Sequence, residues 1–161
     1  MILLADQDRT SWDPALLAEG SALIDRAFAA RQIGPYCLQG AIAAVHAAAA
    51  TAADTDWPEI LGLYGVLQRA APSPVVQLNR AIAVSMVQGP AAGLAIVRGL
   101  LQAGVLADYH LAHVAHADML RQLGDLAGAR AAYGRAVALC QQDPERRLLQ
   151  RKLAELEPGG T

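Results

Sequence analysis

The sequence has few aromatic residues and little net charge. Aromatic residues make up 4% of its 161 positions, and 13 basic residues nearly balance 15 acidic ones. Only one of the basic residues, Lys152, is a lysine. A chain with a net charge of −2 lacks the basic surface with which proteins bind nucleic acid. The composition therefore disfavours a protein that binds DNA or RNA by itself.

Cysteines are also scarce, and long apolar runs are absent. Cys37 and Cys140 are far apart in the sequence, so they match no metal-binding or redox-active pair, and we interpret them as reduced core thiols. The longest alanine-rich run, residues 41–53, contains His46 and Thr51 and is too short to span a bilayer. The first 13 residues lack the apolar core of a signal peptide. We therefore predict a soluble, cytoplasmic protein with no membrane partner.

No segment shows the two-residue alternation of a β-strand, whereas alanine supplies much of the 54% hydrophobic content. This pattern favours closely packed helices. Ser11 is the expected cap of the first helix, Thr55 or Asp56 that of the third, and Gly124 is the expected end of the sixth. We predict an all-α fold of eight helices. They cover about residues 12–31, 35–49, 57–70, 75–88, 90–103, 108–123, 126–141 and 143–156.

Residues 124–136 have a pattern typical of a repeat protein. A turn glycine is followed by Ala129, Tyr133 and Ala136, the spacing of the second helix in a tetratricopeptide hairpin. Residues 38–43 recur, in altered form, as residues 78–83. We therefore predict a single domain, residues 1–161, built as a tetratricopeptide-like superhelical array. Its hairpins would be residues 35–70, 74–103 and 108–141, with capping helices at residues 12–31 and 143–156.

The sequence contains no nucleophile elbow and no glycine-rich phosphate loop, so we predict neither an enzyme nor a bound cofactor. A histidine run, His110, His113 and His116, lies on the predicted sixth helix. Steps of three residues spread these rings over about 120° of the helix surface. Two of them can reach one metal ion, with Asp108 or Asp118 as a third ligand. Nothing else completes the ligand set, so we favour surface histidines and predict no metal site.

The first helix of each hairpin lines the concave surface of such an array, and its polar residues define a predicted partner-binding groove. A groove lined by amides and arginines can hold a peptide backbone or a carboxylate. For Gln39 and Asn79 we favour a structural role, in which they bond to neighbouring loops and brace the repeat. Arg80 and Arg121 are the expected contacts to an acidic segment of a partner. The groove residues are Gln39, His46, Asn79, Arg80, Asp118 and Arg121.

Several motifs occur in a defined order along nearly the whole chain. They are residues 6–13 (DQDRTSWD), 34–36 (GPY), 41–46 (AIAAVH), 55–57 (TDW) and 72–81 (PSPVVQLNRA). Together they resemble the C-terminal extension of a group of bacterial extracytoplasmic-function (ECF) RNA polymerase sigma factors, over about residues 3–156. The sequence departs from that group at Cys37, Gly40 and His116, where we expect Gln, Ala and Arg.

The resemblance implies a regulatory, protein-interaction domain of a sigma factor that modulates transcription initiation. Its partners would be the N-terminal sigma domains or another regulatory protein. RNA polymerase and promoter DNA would be reached only through the sigma domains, which are absent from this sequence. Asp6, Asp8, Arg9 and Trp12 form a predicted docking strip that joins the sigma domains to the array. The alternative is a free-standing tetratricopeptide adapter that binds a peptide of an unrelated partner.

Overall fold

The computed structural model describes residues 12–31, 33–51 and 53–156. All regular secondary structure in these ranges is α-helical, which confirms the predicted fold class. Each helix begins and ends within two residues of its predicted bounds. The eight helices are α1 (Pro14–Ala29), α2 (Pro35–Ala48), α3 (Trp57–Ala70), α4 (Pro74–Gln88), α5 (Pro90–Gln102), α6 (His110–Gln122), α7 (Leu126–Leu139) and α8 (Asp143–Ala154).

Aspartate side chains cap the N-termini of two of the first three helices. Asp13 caps α1, where its Oδ1 accepts hydrogen bonds from the backbone N–H groups of Ala15 and Leu16 at 2.8 and 3.3 Å. Ser11, which we expected to be this cap, lies outside the described residues. Helix α1 begins at Pro14, directly after the Asp13 cap, because proline suits the first turn of a helix. Asp56 caps α3 by accepting a hydrogen bond from the N–H of Glu59. Of the two predicted caps, Thr55 and Asp56, the aspartate is therefore the one that caps the helix.

The turn between α6 and α7 follows from Gly124. Its φ of +81° lies in the left-handed region that favours glycine. The N–H of Gly124 bonds to the carbonyl of Arg121, and the N–H of Asp125 bonds to the carbonyl of Leu120. This is a Schellman motif, the helix end that the sequence predicted. Asp125 then caps α7 by accepting from the N–H of Gly128 at 2.8 Å.

The chain divides into two compact units, and the division falls within α4, between Arg80 and Ala81. In the first unit, α2 packs against α1 and α3. The unit has a small core, to which α1 contributes no buried residue. Its fully or almost fully buried side chains are Leu38, Ile60, Leu67 and Leu78.

In the second unit, α6 packs against α5 and α7, and α7 packs against α8. The predicted repeat residues Ala129, Tyr133 and Ala136 are fully buried on α7. The small alanines allow close approach of the helices, while the tyrosine ring fills the space beside them. The hairpin α6–α7 therefore has the core that its sequence pattern indicates.

Candidate functional site

Asp118, one of the predicted groove residues on α6, accepts hydrogen bonds from side chains of two other helices. The Tyr133 hydroxyl on α7 donates to Oδ1 of Asp118. Lys152 Nζ on α8 lies 3.0 and 3.2 Å from the two carboxylate oxygens. Lys152 also lies 5.6 Å from the centroid of the Tyr133 ring, a cation–π distance. The Asp118 carboxylate thus joins α6, α7 and α8 and forms an ion pair with Lys152.

Burial raises the pKa of the Tyr133 hydroxyl above its ordinary value, and the hydrogen bond to Asp118 and the charge of that carboxylate raise it further. The hydroxyl therefore stays protonated and remains a donor to Asp118 at neutral pH. This bond is a structural one, since the tyrosine is fully buried.

Arg121 follows Asp118 by three residues on α6, and its side chain is 49% exposed. Its Nε lies 4.0 Å from Oδ1 of Asp118, farther than the ammonium group of Lys152. Because Lys152 is the closer partner of Asp118, the Arg121 guanidinium keeps donors that can face a ligand. Of the predicted groove residues on α6, Arg121 has the more exposed side chain.

The predicted groove residues of the first unit have different environments. Asn79 is half-buried on α4, and its side chain lowers the pKa of Tyr64 on α3. Burial nevertheless keeps the pKa of Tyr64 raised. Arg80 is half-buried beside Asn79, and Gln39 is exposed on α2. The bracing role that we favour for Asn79 stays a prediction, and the Gln39 side chain faces solvent.

His46 lies on α2 and contacts the first residue of α3. Its ring and that of Trp57 meet edge to face, with centroids 5.3 Å apart and planes at 80°. Such aromatic pairs stabilise helix packing, which is a structural use of a predicted groove residue.

Of the predicted docking strip, Trp12 is half-buried just before α1, and Asp6, Asp8 and Arg9 lie outside the described residues.

The three histidines of α6 do not converge on one point with Asp108 or Asp118. His113 Nε2 lies 2.8 Å from the carbonyl oxygen of Ala107. Asp108 pairs with Arg135 at 3.1 Å. The ligand set that the sequence suggested for this run is therefore not assembled among the described residues.

His116, the third histidine of the run, is half-buried on α6. Its Nε2 is buried without a hydrogen-bond partner among the described residues. Burial lowers the pKa of His116, and the nearby Arg98 and His113 side chains lower it further. The ring is therefore held in its neutral form.

His110 instead belongs to a cluster that the sequence did not reveal. Its Nε2 lies 3.0 Å from Oε2 of Glu145. The Sγ of Cys140 lies 3.9 Å from the same oxygen. The three residues come from the start of α6, the C-cap of α7 and the first turn of α8. A motif search cannot find these three residues, because they are spread over 36 positions of the sequence. Their one shared feature in the sequence is that each lies at a predicted helix end.

No known protein family and no solved structure match the chain. It is similar to an uncharacterized protein of Rhizobium meliloti (strain 1021), with 44% identity over 156 residues. The match covers 97% of this chain and 36% of that protein. The chain thus spans little more than a third of the relative's length, and nearly two-thirds of the relative lies outside the match.

Proposed function

We propose that this chain is a regulatory, protein-interaction domain of a bacterial ECF RNA polymerase sigma factor and modulates transcription initiation. The observation that carries the proposal is the ordered set of motifs at residues 6–13, 34–36, 41–46, 55–57 and 72–81. The relative supports it, because a protein with nearly two-thirds of its length outside the match has room for sigma domains.

Several motif residues have clear architectural roles. Gly34 and Asp56 are the N-caps of α2 and α3, and Trp57 packs on His46. These motif residues support the helical framework. The polar residues outside the core are therefore the candidates for partner contact. Arg80 and Arg121 are the candidates that combine a cationic side chain with a position outside the core.

The proposed mechanism is that the domain holds or releases the sigma domains through contacts to an acidic segment. Guanidinium groups suit this task, because their planar donors can bind a carboxylate with two parallel hydrogen bonds. Arg121 retains this capacity since Lys152 compensates the neighbouring Asp118.

The first test is the genomic sequence immediately upstream of the Met1 codon. A reading frame that encodes sigma helices in phase with this chain supports the proposal. An upstream region that encodes no such helices contradicts it and favours the free-standing adapter.

The second test measures binding of the separately expressed sigma domains by calorimetry. We expect Arg80→Ala and Arg121→Ala each to weaken binding about 10-fold, a typical loss when a charged contact is removed. Arg147→Ala is the matched control, because Arg147 is an exposed arginine on α8 outside the groove. Unchanged affinity for both groove variants rejects the groove contact, and no binding by the wild-type chain rejects the interaction itself.

A further inference from the structure

Three metal-ligating side chains meet where α6 begins, α7 ends and α8 begins. A ring nitrogen of His110, the Sγ of Cys140 and a carboxylate oxygen of Glu145 all lie within 4.8 Å of one another. Cys140 is only 2% exposed, whereas the side chains of His110 and Glu145 are 21% and 14% exposed. The thiol is therefore inside the protein, and the other two ligands face a short route to solvent.

We propose that His110, Cys140 and Glu145 bind one zinc-class transition-metal ion. The proposal rests on this geometry and does not depend on the sigma-factor assignment. A tetrahedral zinc ion with bonds of about 2.0–2.3 Å holds its ligand atoms about 3.3–3.6 Å apart. The separations here are 3.0 Å for nitrogen and oxygen and 3.9 Å for sulfur and oxygen. The nitrogen and sulfur atoms lie within 4.8 Å of each other, so side-chain rotations can bring the three atoms to bonding distance.

The ligand types select the class of metal. Thiolate sulfur and imidazole nitrogen favour zinc and its neighbours over magnesium or calcium, which prefer oxygen ligands. A thiolate and a carboxylate together neutralise a divalent ion. Three protein ligands leave a fourth position for water or for a group from a partner. Binding requires loss of the Cys140 thiol proton and a free lone pair on Nε2 of His110, so metal uptake releases protons.

Neighbouring groups hold two of the ligands in place. Nε and Nη2 of Arg146 donate to the carbonyl oxygen of Cys140 at 3.1 and 2.6 Å, which ties the end of α7 to α8. The ring of Tyr109 contacts the ring of His110 edge to face, with centroids 5.9 Å apart. Supporting contacts of this kind orient metal ligands before the ion arrives.

A cysteine nucleophile with a histidine base is the competing interpretation of these residues. In such a pair the imidazole nitrogen contacts the sulfur. Here the Nε2 of His110 faces Glu145, whose Oε2 also lies near the sulfur. The buried Cys140 offers a substrate no approach, whereas a single ion needs little space. The arrangement therefore favours metal binding over covalent catalysis.

The test titrates the reduced 161-residue chain with Co²⁺, which reports thiolate ligation through a near-ultraviolet charge-transfer band. We expect one Co²⁺ per chain and displacement of Co²⁺ by Zn²⁺. Cys140→Ser should abolish the band, and His110→Gln and Glu145→Gln should each weaken binding by about 10-fold or more. Zn²⁺ should also raise the melting temperature of the wild-type chain, because it binds only the folded arrangement.

Cys37→Ser and His113→Gln are matched controls, since they remove the other thiol and a neighbouring histidine of the same helix. Both should bind Co²⁺ as the wild type does. Circular dichroism checks folding, and Glu145→Gln decides the outcome if Cys140→Ser does not fold. Absence of the band in the wild-type chain overturns the proposal. Retention of the band in folded Cys140→Ser, or its loss in Cys37→Ser, overturns it as well.

Discussion

At the scale of single residues, Gly93 on α5 occupies a position with no room for a side chain. A Cβ atom there would lie 2.6 Å from both the carbonyl oxygen of Ala81 and the Cβ of Ser85. It would also lie 3.0 Å from Cε of Met119. The absence of a side chain thus lets α4 and α5 pack closely within the second unit.

Gly93→Ala should lower the free energy of unfolding by about 1–3 kcal/mol, because overpacking outweighs the helix propensity gained. Gly99→Ala is the matched control on the same helix, since apart from its chain neighbours and the adjacent helix backbone no atom lies within 4 Å of its Cβ position. The control should be neutral or up to about 1 kcal/mol more stable. Urea denaturation measures both, and equal stability of the two variants would contradict the packing argument.

His116 makes the stability of the second unit depend on pH. Its pKa in the folded chain is lowered by burial and by Arg98 and His113, so the unfolded chain binds the proton more readily. Stability should therefore fall as the pH drops below about 6.5, the ordinary pKa of histidine. In His116→Gln this part of the acid sensitivity should disappear. Melting temperatures at pH 7.5 and 5.5 measure the difference, and an equal drop in both proteins would rule out His116 as the cause.

At the scale of elements, the turn between α6 and α7 ends one helix and begins the next within three residues. Gly124 supplies the left-handed conformation, and Asp125 caps the following helix. A turn this short holds α6 and α7 close together, so that Tyr133 reaches Asp118. The close packing of α6 and α7 and the hydrogen bond from Tyr133 to Asp118 thus both depend on this short turn.

Asp125→Ala should lower the free energy of unfolding by about 1 kcal/mol, because the N–H of Gly128 loses its capping acceptor. Asp125→Asn should cost less, since asparagine caps helices nearly as well. Thermal denaturation of the two variants measures the cap, and an alanine variant as stable as the asparagine variant would show that the cap contributes nothing.

At the scale of the whole molecule, the net charge is low because basic and acidic residues nearly balance. The chain has a net charge of −2, and none of its described helices is long and apolar enough to cross a membrane. Several arginines pair with acidic groups, including Arg135 with Asp108 and Arg146 with Asp143. Such pairing leaves little unbalanced positive charge to attract phosphates.

The chain by itself should therefore bind duplex DNA no more tightly than about 100 μM at physiological salt. Fluorescence anisotropy with a labelled duplex tests this expectation. Salt-dependent binding at low micromolar protein would contradict it and would require a basic surface that the charge balance does not indicate.

Much of the fold could be predicted because its signals are local. Glycine, proline and aspartate mark helix ends through backbone conformation and capping, which act over a few residues. Gly124, Asp56 and Ala129 therefore occupy the positions in the fold that their sequence patterns predict. The partners of Asp118 and His110 could not be predicted, because Lys152 and Glu145 follow them by 34 and 35 residues.

The sequence by itself determined the all-α class and the bounds of the helices, because propensity, capping and hydrophobic spacing are properties of neighbouring residues. Only the tertiary structure decided which side chains meet. Packing of α6, α7 and α8 used Asp118 as an internal acceptor, left Arg121 exposed, and brought His110, Cys140 and Glu145 together. Contacts between distant residues depend on how helices pack, and no pattern within one helix specifies that packing.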